Sequence, residues 1–213
     1  MANIGVLTGD VVGSQRIDDK QALSHALDDS LRLLQTTLGA RSDRYRGDGF
    51  QVAVPNPGQA MLAAILLRAS LIRHSPSRSA MWDARIAVAV GGGRLPTSDR
   101  FSDAQEEAFV LSGRRLDALG DGPDRLAIVT PAETAEGHLA LLTRFADDIV
   151  SHWSSFSAEV VSLSLLHRES QQQLAKRLGR AQPTVNRRLA AARWPLIRDY
   201  LDYMQKALGS VAT

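Results

Sequence analysis

Two aspartates and a basic helical segment hold most of the chemistry legible in this chain. Asp10 follows a short apolar run, residues 4–8, and Asp48 sits between Gly47 and Gly49 inside residues 43–54. If those runs are neighbouring strands, both carboxylates reach one edge of a sheet. Two hard oxygen donors there suit Mg²⁺ or Mn²⁺, with waters and phosphate oxygens completing an octahedron. The loop after Asp10, with Val11, Gly13 and Ser14, offers backbone N–H groups that can hold phosphate oxygens. Aspartates are also ordinary turn residues, and spacing alone leaves both readings open.

The second constellation lies in the last third of the chain. Ala175, Gly179 and Val185 have the spacing of a helix-turn-helix. Such a motif needs a small residue where its helices cross, a turn residue that tolerates positive φ, and an apolar residue facing back from the second helix. Leu174, Leu178 and Leu189 support the packing, and Pro183 suits a first helical turn. Gln182, Thr184, Asn186, Arg187 and Arg188 then stand at the start of the second helix, where base edges are read in the major groove. Arginine and asparagine suit bidentate contacts with guanine and adenine. Gln171, opening the preceding helix, joins them as a candidate contact to double-stranded DNA. An ordinary helical hairpin is the plainer alternative.

Other chemistries drop out. The chain has no cysteine, which removes disulfides, thiolate metal sites and cysteine nucleophiles. Its five histidines show no helical pair at metal spacing, and Ser14 has no evident histidine partner. The run Gly91-Gly92-Gly93-Arg94 lacks the Gly-Lys-Ser/Thr of a Walker loop. It reads as a strand exit.

The elements that must position these residues follow from periodicity. Residues 4–8 read as a buried strand. Leu23, Leu27, Leu31, Leu34 and Leu38 mark one face of a helix, with Gly39 as its stop. Residues 43–54 read as a hairpin turning at Gly47-Asp48-Gly49. Residues 59–73 form a helix apolar almost all round, 83–90 a strand, 95–105 an irregular loop, 106–119 a helix, 125–130 a strand, and 132–150 a helix broken near Gly137. The C-terminal third reads as helices over 158–166, 170–179, 183–193 and 196–208. This order predicts an α+β sandwich, helices on one face of a mostly antiparallel sheet, followed by an all-α helix-turn-helix domain. The boundary falls in the serine-rich stretch 148–157, giving domains at 1–150 and 151–213.

Composition agrees. Of 213 residues, 44% are hydrophobic and 23% charged, the balance of a globular protein. The longest apolar run, 61–67, is far short of a membrane span, and no secretory signal opens the chain, so a cytoplasmic location is expected. Charge is divided unevenly. Residues 1–150 carry 16 basic against 19 acidic side chains, and 151–213 carry 9 against 4. A basic tail on an acidic body is the distribution expected if the tail meets a polyanion.

Four motifs occur in order: residues 8–13 (Thr-Gly-Asp-Val-Val-Gly), 44–48 (Arg-Tyr-Arg-Gly-Asp), 85–91 (Arg-Ile-Ala-Val-Ala-Val-Gly) and 110–116 (Val-Leu-Ser-Gly-Arg-Arg-Leu). They resemble the successive motifs of class III nucleotidyl cyclase catalytic domains. The chain resembles the SatD family more closely still, in Gly47-Asp48-Gly49-Phe50-Gln51, Ala108-Phe109 and the run from Gln171 to Arg193-Trp194. The resemblance implies a ferredoxin-like, nucleotidyl-cyclase-like fold and metal ions on Asp10 and Asp48. It implies nucleotide contacts from Val11, Gly13, Ser14, Arg44, Arg46 and Gly47, with Arg115 stabilising a transition state if the site is active. It further implies a two-fold dimer. Separately from the resemblance, Tyr203 on the last helix is a candidate for a dimer seam. One departure stands out: Leu111 replaces the asparagine that positions the ribose in the cyclases. The expected function is therefore a transcription regulator whose N-terminal domain binds a nucleotide or related phosphate ligand. The alternative is an active metal-dependent cyclase or transferase localised by its helix-turn-helix.

Overall fold

The computed structural model describes residues 2–45, 47–98, 100–101, 104–131, 137–167 and 169–210. The strands are β1 (Asn3–Val11), β2 (Arg41–Arg44), β3 (Phe50–Val54), β4 (Ala84–Gly92) and β5 (Leu126–Val129). The helices are α1 (Lys20–Leu38), α2 (Ala60–Arg73), α3 (Glu107–Leu119), α4 (His138–Ser151), α5 (Ser155–Leu166), α6 (Gln171–Arg177), α7 (Gln182–Ala191) and α8 (Trp194–Ser210). Residues 132–136, expected to open the helix before Gly137, lie outside the described residues.

The sheet runs β2-β3-β1-β4-β5. It is antiparallel except for the parallel pair β4/β5. β1 and β2 are parallel with β3 between them, and β3 and β4 are parallel with β1 between them. Both split pairs are bridged by helices, α1 and α2, in the ferredoxin-like manner. The hairpin β2/β3 and the pairing of β1 with β3 fulfil the condition that Asp10 and Asp48 share an edge.

Helices cover both faces of the sheet rather than the one expected. Leu7 and Val11 of β1 pack with α1 and α2, whereas Ile4 and Val6 pack with Phe101, Ala108 and Phe109 on the α3 side. The reason is legible in β1, which is buried along nearly its whole length; two-sided burial needs two covering layers. The steps β3→β4 and β4→β5 run in the same direction toward the same edge. With α2 and α3 on opposite faces, their crossovers have opposite hands, so one departs from the right-handed rule. Before α3 begins, Phe101 packs on this second face, its N–H donating to Asp43 Oδ2 at 2.8 Å.

α2 is the central helix, which explains its lack of a polar face. One side meets the sheet and others meet α1, α5 and α8. Within it lies a fully buried charge, Arg68. Its guanidinium donates to Asp83 (Nε–Oδ1 2.9 Å, Nη2–Oδ2 2.7 Å), to Asp147 of α4 (2.6 Å) and to Ser151 Oγ (3.0 Å). Asp147 Oδ2 also accepts from the backbone N–H groups of Arg125 and Leu126, which starts β5. Burial alone would lower the basicity of Arg68, but the charges of Asp83 and Asp147 more than reverse this. Burial would likewise raise the Asp83 carboxyl, yet Arg68 and Arg125 hold it below its usual range.

The last third of the chain divides in its packing. α5 lies against α2 through Ala158 and Val161, and α8 adds Ile197, Tyr200, Met204 and Leu208 to the same core. α6 and α7 sit outside it on the other side of α5, in a cluster of Val160, Leu174, Ala175, Val185 and Leu189.

Candidate functional site

The C-terminal end of β1 opens into a cleft of about 550 Å³. Its lining comes from residues 10–16, from Asp48 in the β2/β3 turn, from Arg85 at the start of β4, and from residues 121–125 before β5. Asp10 and Asp48 therefore do share a cleft. The loop is fixed where Val12 N–H donates to the Asp83 carbonyl at 2.9 Å and where Gly13 turns with φ 64° into a short 3₁₀ segment. Val11, Ser14 and Asp48 also line an adjoining pocket of about 260 Å³ with Gly47 and Arg44. Arg44 is anchored there, its Nη1 donating to Asp28 Oδ1 at 2.6 Å and Ser24 Oγ at 3.0 Å. Most of the residues expected to hold a nucleotide thus surround two adjacent hollows.

Of the two remaining, Arg46 lies outside the described residues. Arg115 belongs to α3, on the opposite face of the sheet, and the cleft lining does not include it. Its Nε is buried without a hydrogen-bond partner. Near it on α3, Ser112 Oγ pairs with Thr8 Oγ1 at 2.7 Å, and Gln51 donates to the same Thr8 oxygen. This polar trio ties α3 to the sheet.

The expected metal meets an occupied donor set. Asp10 is the register partner of Arg85 on β4. Arg85 Nε and Nη2 donate to Oδ1 and Oδ2 of Asp10 at 3.2 and 2.7 Å. Those hydrogen bonds are the main reason the guanidinium is more basic than usual. A cation at Asp10 would have to compete with this guanidinium for the carboxylate, so in this arrangement Asp10 is not a free metal ligand.

Sequence reading singled out neither Arg85 nor Arg125 for the cleft. The signal was present in Arg85, a charge within an otherwise apolar strand. Only the register with β1 shows what it neutralises. Arg125 Nη1 donates to Asp83 Oδ2 at 2.9 Å, which joins the cleft wall to the buried Arg68 network.

The second candidate surface is α6–α7. Gly179 has φ 59°, the positive value anticipated for the turn, and Ala175 and Val185 are buried against each other's helices. α6 opens with a reciprocal cap between Ser170 and Gln173. Gln171, Gln182, Asn186 and Arg187 are exposed, and Thr184 is half-buried. Arg188 differs. It lies back on α5, its Nη1 donating to Glu159 Oε2 at 3.0 Å and its guanidinium 4.6 Å from the centre of the Phe156 ring. It packs the unit together and is not free to face a ligand.

No family model matches the chain, and no protein of curated function matches it. Solved structures do. The chain is similar to a bacterial light-regulated adenylyl cyclase at 14% identity, over 60% of this chain and 75% of that one, with a TM-score of 0.44. It is similar to the active GGEEF domain of a diguanylate cyclase from Vibrio cholerae at 13% identity, over 62% and 85%, with a TM-score of 0.46. The guanylyl cyclase domain of the RhoGC fusion protein of the aquatic fungus Blastocladiella emersonii matches at 14% identity, over 55% and 74%, with a TM-score of 0.39.

Proposed function

We propose that this protein is a DNA-binding transcription regulator, a homodimer whose N-terminal body takes a nucleotide or related phosphate ligand in the cleft beside Asp10 and Asp48. The observation that carries the reading is the α6–α7 pair. Its turn glycine, small crossing residue and inward valine hold the start of α7 clear of the body. Gln182, Asn186 and Arg187 are exposed together there. These side chains suit base edges, and the surrounding tail carries the positive surplus that attracts phosphate.

A single unit of this size buries too little surface for tight, selective binding, so a pair is required. An apolar groove of about 350 Å³ between α4 and α8 suits a second copy. Phe145, Leu196 and Tyr203 are 62%, 55% and 44% exposed along it. Apolar side chains grouped in this way mark interfaces. α8 follows directly from α7, so pairing at α8 fixes the distance between the two reading helices. The active-enzyme alternative is disfavoured by Leu111, by the position of Arg115 and by the occupied carboxylate of Asp10.

Selection of the full-length protein against random duplex DNA tests the reading. The expected product is an inverted repeat with half-sites about one helical turn, roughly 34 Å, apart or a multiple of it. Recovery of no enriched sequence would refute it. Deletion of 158–213 would not serve, because α5 and α8 belong to the main core.

A further inference from the structure

Helix α7 ends on a residue that its backbone conformation does not favour. Arg193 has φ 52°, the only positive value outside glycine among the described residues. A side chain in this region crowds its own backbone, which costs folding free energy. Helices commonly close on glycine for that reason, and this chain does so after α1 at Gly39 and after α6 at Gly179. The corner at Arg193 is fixed from both sides. Trp153 Nε1 donates to the Ala192 carbonyl at 2.9 Å, and Ala192 is buried. The Arg193 carbonyl accepts from the N–H groups of Leu196 and Ile197 at 3.0 and 3.3 Å, which starts α8. The backbone thus has its partners, while Arg193 itself is exposed and adds no burial to offset the strain.

Its neighbours indicate what the side chain does. Residues 171–193 carry six basic side chains and no acidic one. Arg177 is paired with Glu169, and Arg188 with Glu159. The other four, Lys176, Arg180, Arg187 and Arg193, are exposed, and none has an acidic partner among the described residues. α7 has 10 residues. At about 15 Å it is longer than the major groove is wide, about 12 Å. With the start of α7 at the base edges, its far end lies out at the sugar–phosphate wall.

We propose that Arg193 binds a DNA phosphate at the far end of α7, and that an arginine occupies this glycine corner because DNA binding needs its charge there. The inference rests on the reading of α6–α7 as a DNA-binding surface. Fold and binding then place opposite demands on one position. Arg193→Gly relieves the strain and removes the charge. Arg193→Gln keeps the strain without the charge, and Arg193→Lys keeps both. A residue that only joined α7 to α8 would not distinguish lysine from glutamine.

Fluorescence anisotropy of a labelled mixed-sequence duplex, titrated with full-length protein over a series of KCl concentrations, reads the charge. Melting curves read the strain. Arg193→Gln and Arg193→Gly should bind more weakly, with a salt slope shallower by about one unit per subunit, and Arg193→Lys should keep the wild-type slope. Arg193→Gly should melt at or above the wild type, by up to about 4 °C. Should it fail to fold, the lysine and glutamine variants decide. A wild-type slope in Arg193→Gln, or an equal loss in Arg193→Lys, overturns the inference and leaves the DNA-binding reading standing. A lowered melting point in Arg193→Gly overturns the strain argument. Wild-type protein that binds no duplex at the lowest salt overturns both the inference and the reading beneath it.

Discussion

Replacing Arg68 with methionine tests how the body of the protein is held beneath its cleft. Arg68 is fully buried and satisfies Asp83 and Asp147 at once. Methionine fills similar space but leaves two buried carboxylates short of their main cation. Asp83 keeps Arg125 at 2.9 Å, and Asp147 keeps two backbone N–H donors. Breaking a buried pair from one side costs about 3–5 kcal/mol. For a chain of this size that lowers the melting temperature by about 6–20 °C. The cost should depend on pH. In the wild type the Asp83 carboxyl is depressed, so its contribution is present above the unfolded carboxylate pKa near 4 and is lost as pH falls through the lower folded value. In Arg68→Met the buried Asp83 carboxyl loses its main cation and is no longer held down. The variant is then penalised most at neutral pH and recovers part of its deficit as acid protonates that carboxyl. Urea unfolding of both proteins at pH 7 and pH 5 measures this. A loss under about 1 kcal/mol at pH 7, or a deficit that widens toward pH 5, would refute the reasoning.

Two further changes divide the α6–α7 surface and the groove. Arg187→Ala should weaken operator binding by about 1–3 kcal/mol with relaxed selectivity if the side chain reads a base, or lower the salt slope by about one unit if it meets phosphate. Arg188→Ala should instead lower the melting temperature by about 2–4 °C, the loss of about 1 kcal/mol of ring and ion-pair contact, which thermal denaturation reads. Phe145→Asp places a charge in the groove between α4 and α8. It should shift the protein from dimer to monomer in analytical ultracentrifugation while costing the folded monomer no more than about 0.5 kcal/mol of unfolding free energy.

The sequence by itself determined the order and type of the elements, because each carries its own period. The leucines at 23, 27, 31, 34 and 38 can only face one side of a helix, and the uniform apolarity of residues 60–73 already implied a helix surrounded by protein. It also determined the α6–α7 turn, since Gly179 and its flanking residues act locally. Tertiary structure decided what depends on residues far apart in the chain. That α3 covers the second face is visible only where Phe101, Ala108 and Phe109 meet Ile4 and Val6 of β1, which no periodicity records. Arg188 looked equivalent to Arg187 until α5 packed beneath it, and Arg68 looked like one charge in an apolar run until Asp83 and Asp147 closed around it. The pairing of Asp10 with Arg85 needs the register of β1 on β4 across 75 residues. Two aspartates that read as metal ligands in one dimension are thereby distinguished in three, because one of them already has its cation.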